Sequence, residues 1–124
     1  MTDADRSGAP RMPREPRAAA RHGRLRGADE APVSGERTIR IGGGTGFSVE
    51  QILSGVFDDP VDYVQDHDEW VVVLGGAAVL AVDGEDRAMA AGDWCLLPAG
   101  TPHTLVRTEP GTSWLAVRSV PSGG

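Results

Sequence analysis

At 124 residues the chain has room for one domain, and 40% hydrophobic residues with 17 glycines suit a turn-rich β domain better than a helical bundle. No run approaches the ~20 apolar residues of a membrane-spanning helix, no apolar segment follows the N-terminal charges as a secretory signal requires, and one cysteine excludes an internal disulfide. A soluble, cytoplasmic protein is expected. The net charge of −6 is unevenly spread: residues 1–33 hold seven Arg against five Asp/Glu, residues 34–124 five Arg against thirteen. An acidic body repels a phosphate backbone, which argues against nucleic acid and against anionic membranes as partners.

Residues 1–33 are rich in Arg, Ala, Pro and Gly with almost no bulky apolar side chains. Such a segment buries too little surface to offset its ordering entropy, so a disordered tail is expected before a folded domain over 34–120. A short strand is expected at Thr38–Ile41. The run Gly42-Gly43-Gly44-Thr45-Gly46 that follows lacks the Lys-Ser/Thr of a phosphate-binding loop, precedes no helical pattern, and is read as a turn.

From Phe47 onward short apolar or alternating runs are broken by turn residues, which is the pattern of an all-β sandwich or barrel. The expected strands are Phe47–Leu53, Val61–Gln65, Glu69–Leu74, Ala77–Val82, Arg87–Ala90, Trp94–Leu97, His103–Arg107 and Ser113–Arg118. Asp83-Gly84 is the strongest hairpin signal among the intervening turns. No helical stripe and no internal repeat is present. Cys95, inside the apolar run Trp94 to Leu97, reads as a small buried hydrophobe rather than a nucleophile.

Two spacings carry more information. Gly92, five residues, Pro98-Ala99-Gly100, two residues and His103 form one; Glu69, six residues and Gly76 form the other, with fifteen residues between Gly76 and Gly92. Together they resemble the two motifs of the cupin superfamily, in the short spacing of small bacterial single-domain cupins of the type-2 kind. The resemblance implies a double-stranded jelly-roll barrel holding a ligand or metal at one mouth. It covers about the last sixty residues and specifies fold more than activity.

Cupins that bind a metal place His-x-His six and four residues before the Glu; here those positions are Tyr63 and Gln65. Alternation along an unbroken strand places Tyr63, Gln65, His67 and Glu69 on one face, so His67 is a candidate substitute. The candidate metal set is Gln65, His67, Glu69 and His103, suited to a divalent first-row ion such as Fe, Mn, Ni or Zn. The alternative keeps Glu69 and His103 as a hydrogen-bonded pair without metal, because a buried carboxylate needs a partner. Asp58, Asp59, Asp62, Asp66 and Asp68 lack the spacing of a calcium loop and read as a solvated acidic loop.

Arg107, four residues after His103, is expected on the same side, either clamping a carboxylate or phosphate or lying in solvent at the barrel mouth. Tyr63 and His67 are the candidate acid/base groups. Trp70 is expected to face away from the cavity into packing or a dimer interface, with Trp94 and Trp114 in core or interface; a homodimer is expected from the small core. The resemblance implies a dioxygenase, isomerase or lyase acting on a small organic molecule, an anionic one if Arg107 is the clamp. The competing reading is a metal-free module that binds or senses a small ligand without turning it over.

Overall fold

The computed structural model describes residues 19–121. Nine strands form it: β1 (Glu36–Gly44), β2 (Phe47–Ser54), β3 (Val61–Tyr63), β4 (Glu69–Gly75), β5 (Ala77–Val82), β6 (Glu85–Ala90), β7 (Trp94–Leu97), β8 (His103–Thr108) and β9 (Thr112–Ser119). All pair antiparallel in two sheets, ordered β1-β2-β9-β4-β7 and β3-β8-β5-β6. This is the expected all-β jelly roll. Among the described residues the sole helical element is one 3₁₀ turn, Ala28–Glu30.

Alternation assigns the faces. On β4, Glu69, Val71 and Val73 are buried while Trp70 and Val72 are partly buried and Leu74 is exposed; on β5 the buried residues are Ala78, Leu80 and Val82. The two inner faces meet in one core with Met89, Leu97, Leu105, Trp114 and Ala116. Trp94, by contrast, is 61% exposed at the free edge of the larger sheet, its ring 6.2 Å from that of Trp70. Cys95 is partly buried, and burial pushes its thiol above the ordinary cysteine range, in line with an inert role.

The Asp83-Gly84 hairpin forms as read, both residues with positive φ, 50° and 84°. The glycine run differs from expectation: Gly42 to Gly44 continue β1 and pair with Val49, Ser48 and Phe47, so only Thr45-Gly46 turns. β1 also begins earlier, at Glu36, because its pairing with β2 runs on to Ser54.

Of the segment 1–33, residues 1–18 lie outside the described residues. Arg26 is held through its backbone: its N–H donates to Gln51 Oε1 at 2.8 Å and its carbonyl accepts from Gln51 Nε2 at 2.9 Å. Val56 N–H donates to the Val33 carbonyl at 3.0 Å, and Ser34 bridges Val56. This stretch covers the outer face of β2, which explains why Gln51 and Leu53, opposite in direction to Glu50 and Ile52, are also buried.

Candidate functional site

At one end of the barrel the two sheets diverge around a cavity of about 220 Å³. The larger sheet contributes Glu36 and Thr38 from β1, Glu50 and Ile52 from β2, Glu69 and Val71 from β4, Leu97 from β7, and Trp114 and Arg118 from β9. The smaller sheet contributes Tyr63, His103 and Leu105, and Gln65 lines the cavity from the loop after β3. Five apolar side chains, Ile52, Val71, Leu97, Leu105 and Trp114, share the lining with eight polar or ionisable ones, so the cavity is concave but more polar than most small-molecule sites.

Glu69 and His103 are 8% and 7% exposed and stand on opposite sheets. Among the described residues neither a hydrogen bond nor an ion pair within 4.0 Å joins them, so they are not the hydrogen-bonded pair considered above. His103 Nδ1 lies 3.0 Å from the Thr101 carbonyl, which can only accept; Nδ1 therefore carries the proton and Nε2 of the neutral ring keeps its lone pair. Loss of hydration holds the Glu69 carboxyl above the usual carboxylate range, and Glu50 adds to this, while His103, His67 and Arg118 oppose it.

Tyr63 stacks on His103, with centroids 5.4 Å apart and planes at 16°. Its hydroxyl donates to Glu36 Oε1 at 3.3 Å, and Ser54 Oγ donates to Glu36 Oε2 at 3.3 Å while accepting from Trp114 Nε1 at 3.2 Å. A chain of hydrogen bonds therefore runs from the core to the mouth. Burial pushes the Tyr63 phenol up to about 12, with the Glu36 charge, the Glu36 hydrogen bond and the Glu69 charge adding to it. The Glu36 carboxyl is raised as well, chiefly by loss of hydration.

Of the residues singled out in the sequence, Tyr63, Gln65, Glu69 and His103 meet in this cavity. His67 and Arg107 do not. β3 ends at Tyr63, and the chain from 64 to 68 leaves the pleat, so the alternation that would have turned His67 inward is interrupted. His67 lines a neighbouring hollow instead, with Nδ1 3.5 Å from Asp66 Oδ1 and a buried Nε2 that has no hydrogen-bond partner. The adjacent β5 residues Val79 and Leu80 pair with Arg107 and Leu105 of β8, so Val106 is an extra, bulged residue and Arg107 is exposed beside a different groove.

The cavity has its arginine nonetheless. Arg118 follows Trp114 and Ala116 on the inner face of β9 and forms an ion pair with Glu50. Period-two counting from Trp114 would have found it; Glu36 lay outside the strand as read and gave no such signal. Of the acidic loop, Asp68 Oδ1 accepts from Ala99 N–H at 2.9 Å and Asp62 Oδ1 from Thr104 Oγ1 at 2.7 Å, structural roles in the turn and strand beside the site.

The donors do not fit a first-row metal. Glu69 and His103 offer two good ligands and Gln65 an amide, but His67 is elsewhere, and no three His, Cys, Asp or Glu side chains converge among the described residues.

The family model for the cupin domain matches residues 48–117. A crystal structure of a putative mannose-6-phosphate isomerase from Ralstonia eutropha JMP134 superposes with a TM-score of 0.68 at 31% identity, covering 81% of this chain and 98% of that one. A cupin-superfamily sugar phosphate isomerase from Silicibacter pomeroyi superposes with a TM-score of 0.56 at 27% identity, covering 77% and 66%. Quercetin 2,3-dioxygenase of Bacillus subtilis (strain 168) is 40% identical over 55 residues, which are 43% of this chain and 16% of the dioxygenase. The chain thus spans less than a fifth of that relative's length.

Proposed function

This chain belongs to the cupin domain family, and we propose that its barrel cavity binds a small organic molecule and moves protons on it, as an isomerase or lyase does. The observation that carries this reading is that His103 and Glu69, from opposite sheets, line one cavity. His103 Nε2 has a lone pair to accept a proton, because Nδ1 donates to Thr101. Glu69, held above the usual carboxylate range, keeps its own proton to higher pH than an exposed Glu. An acceptor and a proton-bearing acid on opposite sides of one cavity are what proton transfer at a carbon beside a carbonyl requires. His103 Nε2 would take the proton from carbon as Glu69 gives one to the carbonyl oxygen, forming an enediol; His103 then returns its proton to the neighbouring carbon while the Glu69 carboxylate takes the proton of the hydroxyl on the first carbon, which becomes the new carbonyl and restores both groups. The isomerase names of two relatives agree with this class.

The test is wash-in of solvent deuterium at the carbon-bound protons of dihydroxyacetone. The expected result is an acceleration of roughly 10²-fold or more over buffer, lost in His103→Gln and in Glu69→Gln and unchanged by a chelator. Equal rates in the variants and the parent would remove the assignment. A second reading, binding without turnover, is favoured by Tyr63 and Gln65 at the positions where metal-binding cupins carry histidines; it gives saturable binding with no wash-in.

A further inference from the structure

The charge of the cavity carries the reading further, to the class of ligand. Three carboxylates line it, Glu36, Glu50 and Glu69, against one cation, Arg118. Arg118 is already engaged by Glu50. The other four arginines of the acidic body, Arg37, Arg40, Arg87 and Arg107, do not line it. The proton of His103 Nδ1 is committed to the Thr101 carbonyl, so in the neutral ring Nε2 is an acceptor. Thr38, Gln65 and the Tyr63 hydroxyl are the neutral polar groups, and the last is already donating to Glu36.

A carboxylate or phosphate entering this space meets one arginine already paired with Glu50 and two further carboxyls, Glu36 and Glu69, neither of them ion-paired with an arginine. An anion held by a protein is normally met by guanidinium forks or a cluster of N–H donors. An ammonium meets the opposite situation: it brings up to three donors and a charge into a partly apolar chamber in which carboxyls outnumber cations three to one. Both carboxyls line the same cavity, and the Glu69 charge adds to the upward shift of Glu36. A cation placed between them relieves that repulsion.

We infer that the cavity of this protein selects a small ligand bearing an ammonium group on a compact apolar or hydroxylated body, with Glu36 and the ionised form of Glu69 as the groups that recognise the charge. The inference rests on the reading that this cavity is the ligand site. It adds that the site discriminates against anionic ligands.

The experiment uses three probes of one shape, benzylamine, benzyl alcohol and benzoate, with inorganic phosphate as a fourth, titrated into the full chain and followed by backbone amide shifts. The expected result is that benzylamine shifts Gln65, Val71 and Leu105 saturably, about tenfold tighter than benzyl alcohol, while benzoate and phosphate leave these signals in place. Glu36→Gln and Glu69→Gln each weaken benzylamine about tenfold, the share of one charge-assisted hydrogen bond, and leave benzyl alcohol unchanged; a merely damaged cavity would weaken both. Benzoate or phosphate binding there more tightly than benzylamine overturns the charge selection while leaving the cavity as the ligand site. Shifts confined to residues outside the cavity for all four probes overturn both readings.

Discussion

The Tyr63 hydroxyl reaches from the smaller sheet to Glu36 Oε1 on the larger one, 3.3 Å away, and so ties the two lips of the cavity together. Tyr63 is the one tyrosine in the chain, so its titration is directly visible as phenolate absorbance. The expectation is an apparent value near 12. Glu36→Gln removes a charge and a charged acceptor that both oppose phenolate formation, and lowers it. A titration in the variant that matches the parent would show that Glu36 does not sense Tyr63 in solution.

The same group sets a stability limit. Its folded value lies above the ordinary tyrosine value of 10.0, so the folded state binds the proton more tightly than the unfolded chain. The contribution is complete below about pH 10 and is lost as pH rises toward about 12. Denaturant midpoints should fall across that window in the parent and stay flatter in Tyr63→Phe.

For Glu69 and Glu36 the window is lower and the sign is the same. Both carboxyls are raised in the folded state, chiefly by loss of hydration, so stability declines as pH rises from the ordinary Glu value through the raised folded one. Glu69→Gln keeps the shape without the ionised form. It is expected to unfold at higher denaturant than the parent at pH 7 and to lose that advantage near pH 4. A Glu69→Gln protein that is less stable than the parent at pH 7 would show that the ionised carboxylate is a net stabiliser of the barrel.

What the sequence disclosed about this site follows from which features are local. The Asp83-Gly84 turn, and the placement of Glu69 and His103 in one cavity, depend on short spacings and resemble a known pattern. Arg107 was misplaced because the bulge at Val106 is a property of pairing with β5, which no local residue announces. His67 was misplaced because the strand stops at Tyr63, two residues earlier than Val61–Gln65 implied. Glu36 escaped because its strand is held by eight residue pairs with β2, a long-range relation, rather than by its own Gly-rich composition. Arg118 was within reach of simple alternation from Trp114.

The turn from β4 to β5 offers a sharper test of packing. Thr112 is fully buried; its Oγ1 lies 2.6 Å from the Glu109 carbonyl, 3.0 Å from the Ala77 carbonyl and 3.2 Å from Ala77 N, from which it accepts. Gly76 has φ +84°, and a Cβ there would come 2.8 Å from Thr112 Cα. Thr112→Val leaves buried groups unpaired and should cost about 1–3 kcal/mol. Gly76→Ala meets both a left-handed backbone and backbone atoms, and should cost more than the ~1 kcal/mol of the conformational effect alone. Equilibrium unfolding of the two single variants and the double variant measures this. Because the residues touch, their effects should not add; strict additivity would show that the turn relaxes around each change separately.

Gln51 decides how far the folded body extends toward the N-terminus. It is 1% exposed, and its amide both donates to and accepts from the Arg26 backbone, while Nε2 also reaches Ser113 Oγ at 3.1 Å. These side-chain bonds do for Arg26 what a strand partner would do, in a segment whose composition gives it no apolar anchor except Leu25. Around them Arg26 and Arg37 pair with Glu30 at 3.1 and 3.2 Å, but these are surface ion pairs, each worth at most ~1 kcal/mol. Gln51→Ala should therefore release the stretch from Arg21 to Glu30 without unfolding the barrel, at a cost of about 1–3 kcal/mol for the abandoned polar groups. Limited trypsin digestion reads this directly: cleavage after Arg24 and Arg26 should accelerate several-fold in Gln51→Ala, whereas Glu30→Gln should change it little. If Glu30→Gln accelerates cleavage as much as Gln51→Ala, the ion pairs and not the buried amide hold the segment.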